Sequence, residues 1–248
     1  LDEAMAGHVE GYEDEWAAAL DDPEKLRRFG SFVNAPDEPD ATAERVVDLV
    51  ARRIPAKFGI PPRDIQVLAP MHRGPAGAGT LNTLLQQALA PGRDDVPERR
   101  HGARVFRPGD KVIQIRNNYD KGTAGVFNGT VGTITALSVT DQQLTVRTDE
   151  DEDIDYDFDE LDELQHAYAI TVHRSQGSEY PAVVVPLTMS AYTLLQRNLL
   201  YTAITRAKRL VVLVGSRKAL AIAVRTAGTG RRHTALTHRL QEPGNTAG

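Results

Sequence analysis

The sequence predicts an α/β fold, a parallel-sheet domain with a small antiparallel β-barrel inserted in it. Three observations predict it. Short wholly apolar runs alternate with helical patterns before residue 102 and after residue 164. The stretch between them alternates apolar and polar residues with frequent turn signals. The two kinds of sequence are nested, so the second interrupts the first.

Residues 1–35 are acidic, and EDEWAAALDDPEKLRRF reads as two short helices broken at Pro23. The segment DEPDATAE reads as a linker, which makes residues 1–40 an acidic N-terminal extension. From Glu44 to Ile54, Val46, Val47, Leu49, Val50 and Ile54 recur at helical spacing, with Pro55 and the Pro61-Pro62 pair ending the element. IQVLA (65–69) reads as a buried parallel strand. A glycine-rich loop, PMHRGPAGAG, and a helix, TLNTLLQQAL with Thr80 as its N-cap, follow it. The barrel is expected over residues 103–164, from GDKVIQIRNN, GVFNGTVGTITALS, QLTVRT and IDYDFDE. Beyond it, AYAITV, AVVVPL and LVVLVG read as strands, and LLQRNLLYTAITRA and SRKALAIAV as helices. The α/β domain thus comprises 41–102 and 165–227, and residues 228–248 form a loose tail.

Composition excludes several classes of function. No run of 18 apolar residues occurs, so no membrane span is expected. The chain has no cysteine, which excludes disulfides and thiolate-held metals and suits a reducing cytoplasm. The net charge of −5 is an average over unlike parts. Residues 149–163 hold 11 of the 34 acids, and residues 1–44 hold 13 acids against 3 bases, which leaves 26 bases against 10 acids elsewhere. A basic body of that kind suits a polyanion such as nucleic acid.

Three polar segments carry the chemistry. In APMHRG (69–74), Arg73 sits in a loop after a strand, where it either holds a phosphate or is simply part of a βα turn. TVHRSQGSE (171–179) crowds hydrogen-bonding groups and a glycine between two apolar strands. Hydroxyls and imidazole suit phosphate oxygens, and a glutamate suits a ribose hydroxyl. In YTAITRAKR (201–209), Arg206 ends a helix, so it either stabilises a transferring phosphoryl group as an arginine finger or serves the helix dipole.

In order and wording these segments resemble the second motor domain of RecD-like helicases of superfamily 1. The matching stretches are IQVLAPMHRGPAGAGTLNTLLQ, FRPGDKVIQIRNNYDKGTAGVFNGTVGTI, AYAITVHRSQGSEYPAVVVPL and RNLLYTAITRAKRLVVLVG. The resemblance covers about residues 40–240. It implies a RecA-like motor domain of the P-loop NTPase fold, without the phosphate-loop half, carrying an SH3-like barrel. It also implies a 5′–3′ DNA helicase that uses ATP and Mg2+. By motif, Arg206 would contact the γ-phosphate, with Glu179, Gly177 and Gln176 on the nucleotide side. Thr171, His173 and Ser175, with Arg73 and Asn82, would lie on the single-stranded DNA side, and Gln176 would link the two.

No G-x-x-x-x-G-K-[ST] loop and no acidic magnesium motif after a strand occur in the 248 residues. The fragment is therefore expected not to hydrolyse ATP alone, and a first motor domain on another chain is a possible partner. Residues 8–36 resemble instead the tail of the nitrite reductase large subunit, whose cofactor chemistry needs cysteines absent here. The competing readings are a non-catalytic module that binds protein or DNA, with the acidic strand at Asp155–Asp159 as its docking edge, and a gene-fusion remnant.

Overall fold

The computed structural model describes residues 31–226. A five-stranded parallel sheet forms the centre, with strand order β1-β12-β11-β2-β10. In chain order the elements begin with β1 (Ser31–Asn34) and helix α1 (Pro39–Asp48), followed by a π turn (Leu49–Arg53) and α2 (Ile54–Phe58). Strand β2 (Ile65–Ala69) and helix α3 (Ala78–Leu89) come next. A hairpin of β3 (Arg99–His101) and β4 (Arg104–Phe106) leads into the barrel. The barrel sheet has β5 (Lys111–Gln114), β6 (Val131–Ser138), β7 (Gln143–Thr148), β8 (Asp153–Asp157) and β9 (Leu164–His166), in the order β8-β7-β6-β5-β9. The chain then returns to the parallel sheet with β10 (Ala169–Thr171), β11 (Tyr180–Leu187), α4 (Arg197–Ile204), β12 (Ala207–Gly215) and α5 (Arg217–Arg225).

Both faces of the parallel sheet are covered, which explains why its strands read as unbroken apolar runs. Val183, Val185 and Leu187 of β11 and Val211 and Leu213 of β12 face α4 and α5. Their alternates Ala182, Val184, Val212 and Val214 face α1 and α3, against Val46, Leu81 and Leu85. The barrel has its own core of Phe106, Ile134, Leu144, Tyr156, Leu161 and Leu164. Its β8 shows the alternation that the sequence predicts, with Ile154 and Tyr156 in and Asp153, Asp155 and Asp157 out.

Several boundaries differ from expectation. Ser31–Asn34, assigned above to the N-terminal extension, is the edge strand paired with Val212–Gly215. Most of the expected linker DEPDATAE is helix, because Pro39 sits in the first turn, where its missing N–H costs nothing. Pro55 does not end the helix. The wider π turn before it, with the Ile54 N–H bonded to Leu49 O, moves carbonyls away from the proline ring, and the helix runs on to Gly59. The α3 N-cap is Gly77 rather than Thr80. A Cβ at Gly77 would collide with the carbonyl oxygens of His72 and Arg73, so the tight turn excludes any larger residue. The antiparallel region begins at Arg99 and ends at His166, wider than 103–164, because β3 pairs with β4 and β9 with β5. The helices expected around Pro23, the extension's first 30 residues, and the tail at 228–248 lie outside the described residues.

Candidate nucleic-acid and nucleotide-facing sites

Parallel register divides the candidate residues between two ends of the sheet. Thr171 pairs with Ala69, at the carboxyl ends of β10 and β2. Arg206 and Glu179 lie instead at the amino ends of β12 and β11, where Tyr180 pairs with Ala207 and the Tyr180 N–H donates to Arg206 O at 2.8 Å. Val67 aligns with both Ala169 and Val184. Thr171 is therefore level with Pro186, about 20 Å up the strand from Tyr180 at 3.3 Å per residue. The segment 171–179, which begins just past β10 at a carboxyl end, therefore finishes with Glu179 at an amino end.

At the carboxyl end, a cleft of about 270 Å³ opens between the parallel sheet and the barrel. His72, Asn82, Gln165, His166, Thr171 and Arg174 line it, with no carboxylate among the lining residues. Arg174 is exposed and donates to Gln165 Oε1 at 2.8 Å. Arg73 is exposed beside the cleft on the turn that Gly77 permits.

Asn82 is not a free DNA-side group. Its Nδ2 donates to Ala169 O and its Oδ1 accepts the Ala169 N–H, both at 2.8 Å. β10 is an edge strand, and Asn82 satisfies its outer backbone as a neighbouring strand would. Ser175 also departs from expectation. It is fully buried, and its hydroxyl donates to Val172 O at 2.7 Å inside the 3-10 turn Val172–Ser175. It shapes the turn that presents exposed His173.

From that turn the chain descends to β11 through Gln176, Gly177, Ser178 and Glu179. Gly177 holds φ +88, a conformation that an L side chain resists. His173 and Gln176 face the first turn of α4 across a hollow of about 160 Å³ that also includes Gln196, Asn198 and Thr202. At the amino end, Arg206 is half-buried. Its Nη1 donates to Ser178 O at 3.2 Å and its Nη2 to Thr205 Oγ1 at 3.3 Å, and Nε is buried with no partner. Glu179 is exposed and pairs with Lys208 at 3.6 Å.

Sequence reasoning missed the joint beneath the cleft. Asp110 is fully buried. Its Oδ2 accepts from Gln86 Nε2 at 2.7 Å, from the Arg107 N–H at 2.8 Å and from His166 Nε2 at 3.2 Å. Its Oδ1 accepts from the Tyr168 hydroxyl at 2.9 Å. One carboxylate thus ties barrel, α3 and the lead into β10. Burial, then the Asp110 charge, raises the Tyr168 hydroxyl far above its ordinary range. The only sequence signal was a polar Asp-Lys pair at the start of an apolar strand.

Lys111 beside it is 7% exposed and donates to Arg63 O at 3.0 Å, anchoring the barrel to the entry of β2. Burial pushes its ammonium down to about 8, against the pull of Asp149 and Asp64. The unfolded side chain keeps its proton up to about 10.5. The unfolded chain therefore binds more protons between these values, and stability rises with pH across that window, by at most about 3 kcal/mol. Lys111→Met is expected to flatten that rise in urea unfolding at pH 7.5, 9 and 10. An undiminished rise in the variant would assign it to another group.

The UvrD-like helicase C-terminal domain matches residues 166–214, and the SH3 domain of ATP-dependent RecD-like DNA helicases matches residues 81–147. The ATP-dependent RecD2 DNA helicase of Deinococcus radiodurans is 39% identical over 204 residues, 82% of this chain and 26% of that protein. The chain therefore spans about a quarter of the length of that relative. The RecBCD enzyme subunit RecD of Mycobacterium tuberculosis is 42% identical over 84 residues, 34% of this chain and 14% of that one. The nitrite reductase large subunit of Klebsiella oxytoca is 31% identical over 125 residues, 47% of this chain and 11% of that protein. Among solved structures, the Bacteroides Pif1 helicase in complex with ADP-AlF3 and ssDNA aligns at TM-score 0.45 and 17% identity, covering 80% of this chain and 48% of that one. Two family models that follow one another along the chain, and a relative matched along four-fifths of it, show these residues to be similar to a C-terminal helicase domain together with the SH3 domain of the RecD-like DNA helicases.

Proposed function

We propose that this domain is the second motor half of an ATP-dependent 5′–3′ DNA helicase acting in the cytoplasm. Single-stranded DNA lies along the cleft at the carboxyl end, against Thr171, Arg73 and Arg174, and continues past His173 at the neighbouring hollow beside α4. Arg206 supplies the arginine finger at the amino end, with Glu179 and Gly177 beside the nucleotide. The observation that carries the reading is the placement of these two groups at opposite ends of one sheet, joined by the single crossover 172–179. Gln176, midway along it, is the link between them. The Arg206 guanidinium suits a phosphate because it is held by two long hydrogen bonds and keeps a buried, unpartnered Nε. Among the described residues no three His, Asp or Glu side chains gather to hold a metal ion. The magnesium site and the phosphate cradle belong in this reading to a first motor domain, in the same longer chain or another. ATP bound there supplies the energy of translocation.

The test is binding of fluorescent oligo(dT) over a salt series. If about 3–5 phosphates are neutralised, log K falls against log salt with a slope of roughly −2 to −3.5. Arg73→Ala should make the slope shallower by about one phosphate's share, roughly 0.7. Binding that ignores salt, or that is absent at 50 mM salt, would overturn the cleft assignment.

A further inference from the structure

Charge is partitioned sharply between the two sheets. Residues 111–163 of the barrel carry 13 Asp and Glu against 4 Lys and Arg. The other described residues, 31–110 and 164–226, carry 19 bases against 11 acids. Three of the four bases in 111–163 are held in ion pairs, Arg116 with Asp162 at 2.8 Å, Lys121 with Glu160 at 2.7 Å and Arg147 with Asp153 at 2.8 Å. The fourth, Lys111, is buried. The exposed surface of residues 111–163 is therefore strongly negative.

Two aromatic rings stand on this surface. Tyr119 is 72% exposed and Phe127 47%, and they meet edge to face at 5.9 Å. Their loop is built to hold them. Asn118 and Val126 exchange backbone hydrogen bonds at 2.8 and 2.7 Å, and the Asn128 N–H donates to Asn117 Oδ1 at 2.9 Å. Lys121 anchors the loop against β8, donating to Asp155 O at 2.7 Å and lying 4.7 Å from the Tyr156 ring centre. Carboxylates flank the loop: Glu152 accepts from the Thr123 N–H at 2.6 Å, Glu160 from Lys121 Nζ at 2.7 Å and Glu163 from Asn118 Nδ2 at 3.1 Å. On the same sheet Asp153, Asp155 and Asp157 of β8 hydrogen-bond across to Arg147, Thr145 and Gln143 of β7, so these carboxylates too are fixed in place.

We propose that the Tyr119–Phe127 tip and its acidic surround form a docking site for a protein segment that presents lysine or arginine beside an apolar side chain. The rings take the apolar group, and Tyr119 offers its face to a cation. The fixed acids set orientation and speed encounter. A loop already ordered loses little freedom on binding. Nucleic acid suits the tip poorly, because its phosphates would meet a net charge of −9 over residues 111–163.

The experiment uses the whole 248-residue chain, a fluorescein-labelled peptide alternating Lys, Arg and Leu, and fluorescein-labelled oligo(dT) in parallel. The peptide should bind, shift the backbone amides of 116–128, and bind about tenfold more weakly to Tyr119→Ala/Phe127→Ala. The variant's thermal midpoint should match wild type, since both side chains lie on the surface. Peptide affinity within twofold of wild type in the variant would leave charge alone as the cause and overturn the docking site. A variant that loses oligo(dT) binding but not peptide binding would make the tip a base-stacking platform and overturn it equally.

Discussion

Arg206→Ala is expected to remove 10³–10⁵-fold of the DNA-stimulated ATP turnover, on the order of an arginine finger's contribution. The measurement needs a first motor domain, so residues 31–226 are joined to that of a RecD-like helicase; starting at residue 31 keeps β1 in the sheet. The 248-residue chain alone gives the baseline. The guanidinium sits between Ser178 O and Thr205 Oγ1 at the amino ends of β11 and β12, half-buried and short of one partner. In the proposed role a phosphoryl oxygen takes the place of that missing partner. Arg206→Lys should restore little, since an ammonium cannot donate in two parallel directions. Arg209→Ala, exposed three residues along β12, serves as the control and should change turnover by less than threefold. Removing Arg206 sacrifices two long surface-proximal hydrogen bonds, so folding and oligo(dT) binding should stay near wild type. If an active chimera tolerates Arg206→Ala within about threefold, the residue only complements the end of α4, worth about 0.3–1 kcal/mol.

Asp110→Ala should be the most destabilising single substitution tested, at about 3–5 kcal/mol. The carboxylate is fully buried and receives four donors, from Gln86, Arg107, His166 and Tyr168. Alanine leaves those donors in a dry site with nothing to replace water, and each unsatisfied buried group costs about 1–3 kcal/mol. For a domain of this size the thermal midpoint should fall by roughly 10 °C. Asp110→Asn keeps the shape but turns an amide N–H toward incoming donors, so it should rescue only part of the loss. Tyr168→Phe removes one of the four bonds and should cost about 1–2 kcal/mol. Because Asp110 braces the lead into β10, the Ala variant should also weaken oligo(dT) binding at the cleft. Urea unfolding decides the matter. A loss below about 1 kcal/mol would show that the barrel and the parallel sheet are held together elsewhere.

Much of this was legible in the chain itself. IQVLA, AVVVPL and LVVLVG announce parallel strands because a strand covered on both faces has no polar side to show. IDYD announces a barrel strand because only one face is covered. The three polar segments stood out because hydrogen-bonding groups crowd between apolar runs, and their wording carried the family. All of these are local patterns, and local chemistry is what a sequence displays directly.

Only the tertiary structure decided the rest. Which end of the sheet a loop occupies depends on register, set by hydrogen bonds between strands far apart in sequence, and this separated Arg206 and Glu179 from Thr171 and Arg73. Asn82 looked like a DNA contact until an edge strand 87 residues away claimed both arms of its amide. Ser175 was expected on the DNA side from the resemblance, but the 3-10 turn buries it. Asp110 and His166, 56 residues apart, acquire meaning only where barrel and sheet meet. In each case the deciding partner lies far along the chain, and a backbone or carboxylate that loses water must find such a partner wherever the fold brings one.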